Sequence, residues 1–525
     1  MPLDVRHALL AVLVALPWLW PFTFGPLAAT VPWLASMAVA AVLLVAWPAQ
    51  APAGGARVAA AGWLAAAVFS SVLALLQYFD LEAPLYPWVN IAQPGQAFGN
   101  LRQPNQLASL LVIGALSLRW WLQQAVSGHG RSVALAAVTG ALLMAGLAAT
   151  ASRVGLVELL VLGAAALWWA RAPGRGRRVA LGGIVVAVGL YALAALLLPA
   201  LLQASEGVAG RDMLDRLQHA ESTCGSRLIL WRNVLHLIAQ QPLWGWGWGE
   251  LDYAHYTTLH HGPRFCHILD NAHNLPLHLA VELGVPAALL ACALAAWAVW
   301  RGRPWAERNA TRQLAWGVLA VIGIHSMVEY PLWYGPFQIA AALSVWLLWA
   351  TRRGSGEAGA AQPMVHSRRA ARGALAALTL LALAYAGWDY HRISQIYLAR
   401  DQRAAPYQDD AMAQARRSRL YADVVRFAEV TTRPATRDNA AWLLPAALQA
   451  LHFSPEPRVA IQVIESAALL AQDDVALAHL ARFRAAFPKQ HAEWAQANAQ
   501  MLQGARALAA GAASAPPGSD GNSKK

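Results

Sequence analysis

"LDNAHNLPLHLAVELGVPAALLACALAAWAVW", residues 269–300, decides the fold. A helix needs roughly 17–25 mostly apolar residues to cross a hydrocarbon core, and residues 275–300 supply them. The stretch therefore reads as a membrane span. Its mouth nevertheless carries Asp270, Asn271, His273, Asn274, His278 and Glu282. That places titratable chemistry where a helix meets the edge of the lipid.

Working outward with the same ruler, the chain divides into eleven spans, near residues 8–24, 27–47, 58–79, 105–122, 132–150, 154–170, 179–202, 275–300, 313–330, 335–350 and 371–389. Composition agrees: 58% of the 525 residues are hydrophobic and only 13% are charged, with a mean hydropathy of +0.38. A soluble chain of this length rarely has that balance. The expected fold is an all-α polytopic membrane protein. The first apolar run has no small-residue cleavage site before the next begins, so it reads as a retained helix rather than a signal peptide.

Charge sets the orientation. The net charge of +12 comes largely from arginines in short segments between apolar runs, such as "RAPGRGRR" (171–178), "RGRPWAERNATR" (301–312) and "TRRGSGEAGAAQPMVHSRRAAR" (351–372). Basic loops stay in the cytoplasm, so this distribution argues for topology and against nucleic-acid binding. The parity places residues 203–274, and everything beyond 390, on the outer side.

Five regions follow: spans one to seven (1–202), a large external loop (203–274), spans eight to eleven (275–390), an external helical domain (391–505) and a disordered tail (506–525). The external domain shows helical apolar spacing in "VAIQVIESAALL" (459–470) and "VALAHLARFRAAF" (475–487), as a small bundle of paired helices would. Cys224 and Cys266 share the external loop, where an oxidising compartment permits a disulfide. Geometry decides between that bond and two free thiols.

Polar groups recur at several mouths on the outer face: "GNLRQPNQLASLL" (99–111), "TASRVGLVELL" (150–160), "GSRLILWRN" (225–233), the opening stretch and "HSMVEYPLWYG" (325–335). Arginine's planar fork binds phosphate oxygens bidentately, which makes Arg102, Arg153, Arg227 and Arg232 candidates for a diphosphate on a lipid carrier. The plainer alternative for Arg102 and Arg153 is snorkelling to headgroups. Glu158 is a candidate partner for Arg153, because a carboxylate at that depth is costly alone. His273, ahead of Pro276 at the first helical turn, suits a general base at the water–lipid boundary. His278 with Glu282, and His325 with Glu329, are four apart and read as structural pairs. No HExxH or CxxC occurs, so a catalytic metal is not expected. "GWGWGE" (245–250) lacks the lysine and strand–helix setting of a phosphate loop and reads as a turn with aromatic anchors.

At "SRLILWRNVLHLIAQQPLWGWGWGEL" (226–251), "DNAHNLPLHLAVELG" (270–284) and "HSMVEYPLWY" (325–334) the chain resembles the bacterial PglL-type protein O-oligosaccharyltransferases, within the superfamily of O-antigen ligases and O-antigen polymerases. "GNLRQPNQLASLL" and "ASRVGLVEL" (151–159) carry the same likeness. The resemblance implies a GT-C-type glycosyltransferase of the bacterial inner membrane, with its site facing the periplasm. It would move a preassembled oligosaccharide from undecaprenyl diphosphate to a hydroxyl of a pilin-like or other periplasmic protein, without cofactor or metal. It puts the family's histidine on His273, followed by Asn274, and its donor-binding arginines on Arg153 and Arg227. Gln103, Gln106 and Tyr330 match polar site positions. Within the superfamily, an O-antigen ligase acting on lipid A core or a polymerase is the alternative. The external helical domain favours a protein acceptor. A transporter would place charges at mid-membrane depth and show paired repeats, whereas the polar motifs here gather at one face.

Overall fold

The structure, a computed structural model, describes residues 4–48, 51–124, 130–171, 175–206, 224–352 and 362–513. Among these residues the secondary structure is helical, with no strand. In chain order the main helices are α1 (Val5–Leu19), α2 (Thr30–Ala46), α3 (Pro52–Tyr78), α4 (Pro104–Gln124), α5 (Gly130–Ala149), α6 (Arg153–Trp169) and α7 (Arg175–Glu206). There follow α8 (Arg227–Gln240), α9 (Leu251–Thr257), α10 (Leu275–Leu283), α11 (Val285–Gly302), α12 (Ala310–Ser326), α13 (Gly335–Ala350) and α14 (Gln362–Ser394). The chain closes with α15 (Ala422–Thr432), α16 (Ala440–Phe453), α17 (Pro457–Leu469), α18 (Asp473–Ala486) and α19 (Pro488–Ala513).

Every stretch read as a span lies for most of its length on helix, with one correction. The span expected at 275–300 is two helices, α10 and α11, broken at Gly284. Gly284 has φ 87°, a conformation open to glycine because a Cβ would collide. Here that Cβ would run into the backbone of Leu243. The Val285 N–H meanwhile donates to the Pro242 carbonyl at 2.8 Å. A second correction lies at the C-terminus: α19 runs to Ala513, past residue 506 where a disordered tail was expected, and 514–525 fall outside the described residues.

Among the described residues, four helices are long and apolar enough to cross a membrane by length and composition: Pro52–Tyr78, Gly176–Ala204, Val285–Ala306 and Arg369–Tyr397. On α11, Leu289, Leu290, Leu294 and Trp297 are each more than half exposed, as are Leu375, Leu378 and Leu381 on α14. Apolar faces of that extent are what lipid-facing helices present. The chain is a membrane protein.

It forms two compact units. The first comprises residues 1–223, 242–245 and 271–422. Its core holds fully buried Trp18, Trp63, Tyr78, Leu107, Leu110, Ile113, Leu143 and Phe337. Small residues let its helices approach closely. A Cβ on Gly155 of α6 would lie 2.6 Å from Ala108 Cβ of α4, and one on Gly62 of α3 would lie 2.6 Å from Val14 Cβ of α1. At the far end of α4, Arg119 donates to Gln313 of α12 at 3.0 Å and stacks over Trp169 of α6 at 5.3 Å. Helices α4, α6 and α12 thus form a packed trio.

The second unit joins residues 224–241 and 246–270 to 423–525, so the long loop after α7 and the C-terminal segment contribute to one body. Helices α16, α17 and α18 pack in succession, and their buried Leu443, Leu451, Val459, Val463 and Phe483 share a core with Tyr256 of α9. Polar contacts add to it. His452 stacks on Tyr253 at 3.7 Å and bonds Glu250 at 2.7 Å, while the Tyr256 hydroxyl meets His479 at 3.2 Å. Cys224 and Cys266 are joined in a disulfide, with Cα atoms 5.4 Å apart.

Candidate active site

Local rules position the site. Asn274 stands immediately before α10, and its side-chain oxygen accepts the Leu277 N–H at 3.0 Å, an N-cap. Its amide nitrogen donates to the Met327 carbonyl at 2.9 Å, tying the start of α10 to the end of α12. His273, one residue earlier, adopts φ 48°. That left-handed turn is uncommon for a residue with a Cβ and marks a fixed local geometry. The Asn271 side chain accepts the His273 backbone N–H at 2.9 Å and secures the turn.

The His273 ring so placed meets Glu329. Nδ1 lies 2.7 Å from Oε2, and Glu329 is 9% exposed against 27% for the histidine. A carboxylate only accepts, so the imidazole presents Nδ1–H to it and keeps Nε2 as the basic nitrogen. Tyr330 packs edge-on to the same ring, with centroids 5.1 Å apart. Glu329 is held from its other side, where Asn105 Nδ2 donates to Oε1 at 3.2 Å. Asn105 Oδ1 in turn accepts from the Ser152 hydroxyl at 2.7 Å. Ser152 also caps α6, accepting the Gly155 N–H at 3.2 Å. A continuous polar chain, Ser152–Asn105–Glu329–His273, therefore links α6, α4 and α12 to the mouth of α10. Arg153, exposed, follows Ser152 as the first residue of α6.

The other expected ligand positions have local settings of their own. Gln103 is the N-terminal cap of α4: its side-chain oxygen accepts the Gln106 N–H at 2.7 Å. Gln106 is buried, with its own side-chain oxygen unbonded within the described residues. Arg102 donates to the Pro21 carbonyl at 3.2 Å and to Asn90 Oδ1 at 3.1 Å, in a loop also clamped by buried Gln77. Partial burial pushes the Arg102 guanidinium below its usual range. Arg227 and Arg232 belong to α8 of the second unit, a helix capped by the Ser226 hydroxyl. Arg232 is exposed and Arg227 half-buried.

One pairing read from spacing is corrected, and one residue gains a partner that spacing could not give. Glu158 accepts from the Ser109 hydroxyl at 2.8 Å instead of pairing with Arg153. Glu329 reaches His273 beyond the end of α12, while its backbone N–H still bonds the His325 carbonyl. His278 and Glu282 do meet, at 3.4 Å, inside α10. Among the described residues no cluster of His, Cys, Asp or Glu is arranged to hold a metal ion.

In this helical membrane protein, a histidine oriented by a carboxylate at the mouth of an apolar helix is an arrangement chemically able to take up a proton. Three family profiles match: protein glycosylation ligase over residues 97–122, O-antigen ligase over 138–292, and the C-terminal region of the virulence factor membrane-bound polymerase over 313–502. The first covers Asn105, the second Ser152, Arg227 and His273, and the third Glu329. A protein described as a general O-oligosaccharyltransferase, from Acinetobacter baylyi (strain ATCC 33305 / BD413 / ADP1), is 23% identical over 294 residues, which are 54% of this chain and 49% of that protein. The chain thus matches about half the length of this relative. The resemblance read from the motifs holds, to the superfamily of PglL-type protein O-oligosaccharyltransferases and O-antigen ligases.

Proposed function

We propose that the protein is an O-oligosaccharyltransferase with eleven spanning helices in a GT-C-type arrangement, set in the bacterial inner membrane with its site facing the periplasm. It transfers a preassembled glycan from undecaprenyl diphosphate to a serine or threonine hydroxyl of a periplasmic or pilin-like protein. The observation that carries this reading is the 2.7 Å bond between His273 Nδ1 and Glu329, which leaves Nε2 to act as the base. The acceptor oxygen attacks the anomeric carbon as its proton passes to His273 Nε2. The bond from that carbon to the diphosphate oxygen breaks, and undecaprenyl diphosphate leaves with the electron pair. Glu329 holds the ring and stabilises the imidazolium. The family likeness assigns the diphosphate and its growing charge to Arg153 and Arg227. Single displacement inverts the anomeric centre.

The O-antigen ligase match over 138–292 favours a second reading, transfer of the glycan to lipid A core. One experiment separates them. Wild type and His273→Ala are expressed in a host that makes an undecaprenyl-diphosphate glycan but lacks its ligase, with a pilin-like acceptor present. The expected result is glycopeptides modified on serine or threonine with wild type and none with the variant. Glycan found only on lipid A core makes the protein a ligase, and unchanged transfer by His273→Ala removes that residue from the mechanism.

A further inference from the structure

Beneath the site, deeper in the helix trio, lies a second polar tier. Ser109 sits one helical turn below Asn105 on the same face of α4. Its hydroxyl donates to Glu158 Oε1 of α6 at 2.8 Å and lies 2.8 Å from Nδ1 of His325 on α12. All three side chains are fully buried, at 0% exposure. The upper tier repeats the pattern with the same helices: Ser152 precedes α6, Asn105 lies on α4 and Glu329 follows α12. Each lower residue is four to six positions from its upper counterpart, 109 from 105, 158 from 152 and 325 from 329. The Glu329 N–H also donates to the His325 carbonyl at 2.8 Å, which fixes the residue that orients His273 to the residue held by Ser109.

An ionisable side chain at this depth is costly and marks a function by default. Yet none of these three groups is at the mouth where a substrate would react. We infer that Ser109, Glu158 and His325 are positioning residues: they lock α4, α6 and α12 in the one register that lets Asn105 and Glu329 meet His273. Ser109 is the hub, since a single hydroxyl joins the other two helices. This rests on the base role assigned to His273. An error on the order of 1 Å in a reacting geometry costs about 100-fold in rate, so a lock on helix register matters although it touches no reactant.

The test uses the purified full-length protein with lipid-linked glycan and acceptor, comparing wild type, Ser109→Ala, Ser109→Thr, Glu158→Gln and His273→Ala. Ser109→Ala should lower kcat by about 10–100-fold with donor KM nearly unchanged. Ser109→Thr, which keeps the hydroxyl, should restore the rate. Glu158→Gln should fall between. Size-exclusion and thermal unfolding of each variant separate loss of fold from loss of rate, and should Ser109→Ala fail to fold, the kcat of Glu158→Gln decides. An inactive His273→Ala beside a Ser109→Ala with wild-type kcat overturns the positioning role alone. Near-normal transfer by His273→Ala removes the base reading, and the positioning role with it.

Discussion

His273 gains its character from one carboxylate. Glu329→Gln keeps the size and an acceptor oxygen but removes the charge that supports the imidazolium, so in the proposed transfer kcat should fall about 100-fold or more. Steady-state rates of the purified variant check this, and an unchanged kcat would show that Glu329 does not act on the base. The place of His273 ahead of a proline-led helix was legible in the sequence. Its contact with Glu329 was not, because spacing offers only near neighbours such as His325 and the two residues are 56 positions apart. Gln103 and Asn274 were legible as polar but not as caps: "QPNQ" and "NLP" carry cap chemistry as plainly as ligand chemistry, and the hydrogen-bond partners decide.

Helices carry that geometry by close approach. Gly155 lies inside the first turn of α6, and a methyl group there would meet Ala108 Cβ at 2.6 Å and Leu147 Cδ1 at 2.8 Å. Gly155→Ala should push α6 from α4, lower stability by roughly 1–3 kcal/mol and slow transfer by stretching the Ser152–Asn105 bond. Thermal unfolding and rate together test this, and a stable variant with full rate would show that the two helices can part without cost. The positions of the long apolar helices were readable from apolar length alone. The break between α10 and α11 was not, although "ELGVP" holds both a glycine and a proline, because Gly284 is required by the backbone of residues 242–245, distant in sequence. Glu158 was misassigned for the same reason: its partner comes from another helix.

Across the whole molecule, the second unit concentrates buried titratable groups. Burial lifts the Asp252 carboxyl from 3.8 to about 8, helped by the nearby Asp270 and Glu250 carboxylates. Burial, then Arg264, holds His255 well below its ordinary range and lowers His260 to about 4, and burial with Arg482 does the same to His479. Between about pH 4 and 6.5 these histidines bind protons only when unfolded, so stability rises with pH and outweighs the opposing single carboxyl. From 6.5 to about 8 Asp252 alone acts, holding its proton when folded and not when unfolded, and stability falls. The Tm of the second unit should therefore peak near pH 6.5, and Asp252→Asn should flatten the decline above it. A Tm still rising from pH 6.5 to 8 in the wild type would contradict this account. Reducing the Cys224–Cys266 bond should cost roughly 2–4 kcal/mol, seen as a lower Tm in dithiothreitol; an unchanged Tm would assign the bond no role in stability. The paired helices of this unit were legible from apolar spacing, and both cysteines from their shared loop. That loop and tail share one core was not, because Tyr256 reveals its partners only in three dimensions.

The chain passes between the two units five times, after residues 223, 241, 245, 270 and 422. Synthesis is directional, so the segment ending at Asp270 emerges about 150 residues before Asp423 does. At roughly 5–20 residues per second that interval lasts on the order of 10–30 s. Tyr256 and its neighbours must wait through it with half a core, while five further helices, α10 to α14, are made, and the disulfide between Cys224 and Cys266 is the one covalent tie that can close in the meantime.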